Sequence, residues 1–165
     1  MRLLTIILLP ILFLITANSL YAEKSSEKIR NQVQVLIDET RSSPNWVYID
    51  ETKHGYVGFL NKDRFLIEGP TRRAWTKVFI RGGEIVKTGQ DKENSLIYRL
   101  TYRIYDCLGN RISDIKSVDY YSDGTSDSTD YGRFYKSYPE KRWTEIVPES
   151  IGDIILKFVC GYDPS

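Results

Sequence analysis

Apolar and polar residues alternate with three different periods along this chain, and each period predicts a different element. Residues 3–15 are almost continuously apolar, broken by Thr5 and Pro10. Residues 23–43 are charged, with Ile29, Val33, Leu36, Ile37 and Thr40 at the offsets of an amphipathic helix. Val33, Val35 and Ile37 also alternate, and β-branched residues do not favour a helix, so an unstructured leader over 23–44 competes with the helical reading. Ser42-Ser43-Pro44-Asn45 then punctuates the chain.

From Trp46 the period shortens to two. Trp46–Ile49 and Gly55–Leu60 read as strands, the second closed by Asn61-Lys62-Asp63, and Arg73–Ile80 reads as a third, with Gly82-Gly83 offering a turn. Gly89 to Asn94 is a polar loop. Ser95–Cys107 carries the clearest alternation: Tyr98, Leu100, Tyr102 and Ile104 share one face, and Arg99, Thr101 and Arg103 the other, which predicts one buried and one solvated face. Leu108-Gly109-Asn110 turns the chain into a return strand, Arg111–Tyr121, making an antiparallel hairpin. Asp123 to Asp130 reads as a polar tip, after which Arg133-Phe134-Tyr135 and Arg142–Ile146 resume extended structure. At the end the period becomes helical. Ser150 is a competent N-cap, Ile151, Ile154, Ile155 and Phe158 form a stripe, and Gly161 stands where a C-cap would. Ile154–Val159 also suits a last strand, but the capping residues favour the helix.

The first apolar run changes the picture most. Arg2 precedes it and the small, polar stretch Thr16–Ala22 follows it, which reads as a secretory signal peptide over 1–22 cut between Ala22 and Glu23. Leu20 is large for its place before that cut, so cleavage after Ser19 competes. A membrane span needs about 20 apolar residues, and Pro10, Asn18 and Ser19 break this run, so no stable span is expected. No cysteine lies near the cut to take a lipid. Export places Cys107 and Cys160 in an oxidising compartment, where an even pair in a small domain is most simply a disulfide. A catalytic or redox role lacks both the Cys-x-x-Cys spacing and an evident histidine base.

Charge and composition exclude more than they assign. Of 23 Lys and Arg only Arg2 lies within residues 1–22, and all 22 Asp and Glu lie from Glu23 onward, so the exported chain is formally neutral. Counterion release cannot then dominate its binding, which argues against a nucleic-acid partner. The 12 tyrosines suit either a half-buried sheet or a protein-binding surface. His54 is the only histidine and reads as a solvated turn residue before Gly55. Asp123, Asp127 and Asp130 lack the alternating spacing and closing Glu of a calcium loop. Arg72, Arg73 and Lys77 beside Trp75, and Arg99 with Arg103, are the candidate basic spots. No catalytic residue, cofactor site or metal site is expected.

Several short segments together resemble a known family: Trp46-Val47-Tyr48-Ile49, Trp75-Thr76-Lys77, Tyr105-Asp106-Cys107, Tyr120-Tyr121 with Gly124, and Trp143 to Gly152 ending in Val159-Cys160. In order and in their paired cysteines they are similar to the surface-adhesin protein E-like family of Gram-negative bacteria, over residues 45–165. The resemblance implies a single α+β domain, a curled antiparallel sheet of about six strands with a C-terminal helix packed on it, stapled by Cys107 and Cys160. It also implies protein ligands, with plasminogen and the matrix proteins vitronectin and laminin as the partners of the family's namesake. The function expected is a non-enzymatic binding protein of the envelope, periplasmic, surface-bound or secreted. The alternative is a periplasmic structural or inhibitor-type protein acting on another envelope enzyme, and a hydrolase using His54 ranks last.

Overall fold

The computed structural model describes residues 25–87 and 93–164. The signal-peptide reading, with its cut between Ala22 and Glu23, lies outside them. Helix α1 spans 25–42. Strands β1 (Trp46–Glu51), β2 (Tyr56–Asn61), β3 (Leu66–Glu68), β4 (Thr71–Lys87), β5 (Glu93–Asp106), β6 (Arg111–Tyr121) and β7 (Ser126–Asp130) follow, then helix α2 (Tyr131–Ser137), strand β8 (Thr144–Glu145) and helix α3 (Ile151–Gly161). The fold is α+β. Its strands form one antiparallel sheet of order β1-β2-β4-β5-β6-β7, with β3 added to β4 and β8 to β6.

Helices cover both faces of this sheet. Neighbouring residues of a strand point to opposite sides, and Phe59 and Leu60 of β2 show where each side leads. Phe59 packs with Val57, Phe79 and Ile97 beneath Val33 and Ile37 of α1. Leu60 packs with Ala74, Tyr105 and Ile112 beneath Ile155, Leu156 and Val159 of α3. The helical offsets of 23–43 thus win over the β-branched alternation: Val33 and Ile37 are fully buried while Val35 is 57% exposed. Two polar ties fasten α1. The Arg81 guanidinium of β4 bonds both the Glu51 carboxylate of β1 and the Gln34 amide oxygen of α1. Lys77 Nζ donates to Thr40 Oγ1 at 3.1 Å with the Trp46 ring 4.5 Å away, and burial pushes the Lys77 ammonium below its ordinary pKa.

The expected solvated face of β5 is solvated only in part: Arg99 is exposed, whereas Thr101 and Arg103 are covered from the side of α3. Thr101 is 3% exposed, and inside that face Tyr105 Oη donates to Thr76 Oγ1 at 3.3 Å. Other local expectations also change. Gly82-Gly83 makes no turn: β4 runs through it, with a register shift between Phe79 and Glu84, and Gly83 takes φ 67° with Ile29 of α1 close above. That bulge and three further register shifts add twist and bend to the sheet. Only the first part of 123–130 is a tip, since β7 pairs along β6; its residues Ser126–Asp130 are all exposed and none is apolar. Arg133-Phe134-Tyr135 is helical, and of Arg142–Ile146 only Thr144–Glu145 is a strand. The expected loop over 89–94 lies mostly outside the described residues, with Glu93 and Asn94 already in β5.

The C-terminal helix forms as its caps dictate, and its buried stripe is Ile155, Leu156 and Val159. Ser150 Oγ accepts from the Asp153 N–H at 3.2 Å, and the Asp153 carboxylate accepts from the Glu149 N–H at 2.9 Å, a reciprocal capping arrangement. Gly161 stays helical and Tyr162 is the C-cap residue. At the other end of the staple, Asp106 accepts from the Gly109 N–H at 2.9 Å and pairs with Arg111 at 2.8 Å. A Cβ on Gly109 would meet the Asp106 carboxylate at 2.4 Å, so a larger residue here would displace that carboxylate.

These two carboxylates set an acid limit. Asp106 is held below the usual range by the Gly109 N–H and then Arg111, and Asp153 by Lys157 and then the Glu149 N–H. A depressed folded pKa stabilises above the unfolded value, here about 4, and that contribution is lost as pH falls through the folded value. Stability is therefore expected to hold from neutral pH down to about 5 and to fall below about 4. Thermal melts across pH check this: Asp106→Asn with Asp153→Asn should be less stable at pH 7 and show a shallower acid loss. An unchanged acid profile would refute it.

Candidate protein-binding surface

Residues 131–143 form the most unusual surface of the described chain. Asp130 begins it as the N-cap of α2, its carboxylate accepting from the Gly132 N–H at 2.8 Å. Tyr131, Phe134, Tyr135 and Tyr138 then recur at helical offsets, so two turns and their exit carry four aromatic rings along one side. Ring centres are 5.6 Å apart for Phe134 and Tyr135 and 5.1 Å for Phe134 and Tyr138. No residue of α2 is buried, and Phe134 and Tyr138 are 44% and 47% exposed. Tyr131 and Tyr135 are half-buried, so the exposed part of the set is Phe134 and Tyr138, and adjacent exposed rings of this kind mark a contact surface.

Cations frame the rings. A 3-10 turn, Pro139–Lys141, carries Lys141, whose Nζ lies 4.9 Å from the centre of Tyr138. Trp143 sits between two guanidiniums, Arg111 at 4.7 Å and Arg142 at 5.8 Å. Arg133, Lys136, Lys141 and Arg142 face a single acid in this segment, Glu140, and among the described residues none of the four forms an ion pair. Beneath α2 and the 3-10 turn lies an open cavity of about 360 Å³, lined in part by Arg73, Tyr135, Lys136 and Arg142.

The residues singled out from sequence fall elsewhere. Cys107 and Cys160 are bonded, with Cα atoms 5.7 Å apart, and join the end of β5 to α3. Arg72 donates to the Gly69 and Thr71 carbonyls, Arg73 pairs with Glu68 at 2.9 Å and Lys77 is held beneath α1, so no basic spot forms beside Trp75. Trp75 instead stacks on Tyr102. Arg99 and Arg103 are neutralised across the hairpin by Asp119 and Asp114. Asp123 bonds Thr125, Asp127 accepts from Tyr121, and Asp130 caps α2, so the three acids serve separate local bonds. His54 is exposed at the β1–β2 turn, in a cleft it shares with Ser150. Ser150 Oγ is committed there, donating to the Val147 carbonyl at 2.7 Å and capping α3, so the cleft presents no free nucleophile from it.

Residues 46–161 match the family model of surface-adhesin protein E. The chain belongs to the surface-adhesin protein E family. Three solved structures of Haemophilus influenzae protein E are similar to it over 73% of this chain: one crystal form with 9% identity, 91% of that chain covered and a TM-score of 0.47, and another with 10%, 87% and 0.44. The third, from a non-typeable strain, has 10% identity, 78% coverage and a TM-score of 0.44. No curated protein matches. The surface-adhesin protein E match contains the whole aromatic segment 131–143 and both cysteines, and it begins four residues after the end of α1. No described helix is long and apolar enough to cross a membrane.

Proposed function

We propose that the protein is exported through a signal peptide over residues 1–22, works without catalysis at the cell surface, and binds another protein through residues 131–143. The observation that carries this is the pair of exposed rings, Phe134 of α2 and Tyr138 at its exit, framed by four cations that form no ion pair among the described residues. Aromatic and arginine side chains are the residue types that dominate binding energy at protein contacts. By family resemblance, plasminogen, vitronectin and laminin are the partners to test first.

The test is binding of the purified protein to each of the three, immobilised separately. Phe134→Ala with Tyr138→Ala should weaken binding by at least about tenfold, the effect of losing one to two kcal/mol at a contact. Melting temperature should not move, because both side chains are already half in water. Binding that survives this change would overturn the assignment of the surface. Export is checked separately by the N-terminal mass of the protein recovered from cells, expected to begin at Glu23.

A further inference from the structure

We infer that the cavity beneath α2 receives an acidic segment of the bound protein, a carboxylate side chain next to an apolar one. This rests on the protein-binding reading above and adds the chemistry of what is bound. The cavity combines two features that the exposed rings alone do not. Its rim holds Lys136 and Arg142, both exposed and without a carboxylate partner among the described residues, and Arg73, which shares its charge with Glu68. Its walls include Ile115, Tyr135 and Pro139. The acid that lines it, Asp114, is already bonded by Arg103 and so does not offset the rim.

Charge and shape together select the occupant. An unpaired cation at a rim attracts an anion from solvent, and steers it before contact. A volume of about 360 Å³ is at the small end of the roughly 300–1,000 Å³ typical of ligand clefts, enough for one or two side chains. Apolar walls favour a carboxylate borne on a peptide over a bare inorganic anion, which would gain nothing from them. Tyr135 links the two parts of the surface, since it lines the cavity and touches Phe134 on the outside.

The experiment uses the intact protein and a fluorescent peptide, Glu-Leu-Asp-Phe-Glu with blocked ends, against its neutral analogue Gln-Leu-Asn-Phe-Gln. Anisotropy should show saturable binding of the acidic peptide at least about tenfold tighter than the analogue, weakening as salt is raised. Lys136→Glu with Arg142→Glu should reduce it by at least about tenfold with no change in melting temperature. Equal affinity for the two peptides, or an unaffected double variant, would overturn the inference. So would displacement of the peptide by sulfate at matched charge, which would mark a simple anion site. Loss of matrix-protein binding in the Phe134/Tyr138 variant together with failure of both peptides would sink the cavity assignment alone and leave the protein-binding reading standing.

Discussion

Replacing both Cys107 and Cys160 by serine is expected to cost about 4 kcal/mol and to lower the melting temperature by roughly 10–20 °C. The bond joins residues 53 apart, and in the chain-entropy account a loop of that length restricts the unfolded chain by about this amount. Its place in the fold makes the effect specific. Helix α3 is capped at its start by Ser150 and Asp153, while at its other end the disulfide ties Cys160 to the close of β5. Cutting that tie leaves α3 held on the sheet by Ile155, Leu156 and Val159, three side chains whose burial contributes roughly 1.5–3 kcal/mol each for the larger ones. Calorimetry of the oxidised protein, the reduced protein and the double serine variant reads the effect directly. Melting temperatures within about 3 °C of each other would show that the bond does not stabilise the fold.

A chain beginning at Asn45 is expected not to fold cooperatively, although it contains the whole of the family match. Without α1, the sheet face carrying Val57, Phe59, Phe79 and Ile97 loses Val33 and Ile37, both fully buried. Re-exposing the four sheet side chains at roughly 1.5–3 kcal/mol each is comparable to the whole stability of an ordinary domain, about 5–15 kcal/mol. The Arg81 and Lys77 ties go with them, leaving Lys77 with no hydroxyl from Thr40. The truncated chain should give no sharp thermal transition and should bind a dye that reports exposed apolar surface. A milder version is Val33→Asp in the full chain, which places a charge where no partner exists and should destabilise by several kcal/mol. A sharp transition in the truncated chain within a few degrees of the full one would refute the role given to α1.

Where the sequence pattern was strong, it specified the structure. Helix α1 follows Ile29, Val33, Leu36, Ile37 and Thr40, the β5–β6 hairpin follows its alternation and turn, and α3 follows Ser150 and its apolar stripe. Each of these is decided by residues a few positions apart. The solvated face of β5 was misread in part, at Thr101 and Arg103 but not at Arg99, because alternation reports that two faces differ, and α3 arrives from some 50 residues away to cover part of the polar one. Strand β7 has no apolar residue at all and exists through backbone pairing with β6, which no hydrophobic pattern records. The candidate surface was hidden for a different reason. Phe134-Tyr135 looks like a strand because aromatic residues favour strands, yet Tyr131, Phe134, Tyr135 and Tyr138 after Asp130 already carry a helical offset and a cap. What could not be read is that Phe134 and Tyr138 of this stripe stay exposed while Tyr131 and Tyr135 are half-buried, since helical offsets of rings usually mean burial.

The make-up of β7 has a bearing on how densely the protein can be packed. A sheet that stops at a free strand invites the next copy to extend it, and neighbours at high local concentration are the usual source of such growth. Here the terminal strand offers Ser, Thr and two carboxylates, so an incoming chain would gain backbone bonds while burying no apolar surface and bringing its own acids against Asp127 and Asp130. Many copies can therefore sit side by side on an envelope without zipping into ladders through β7.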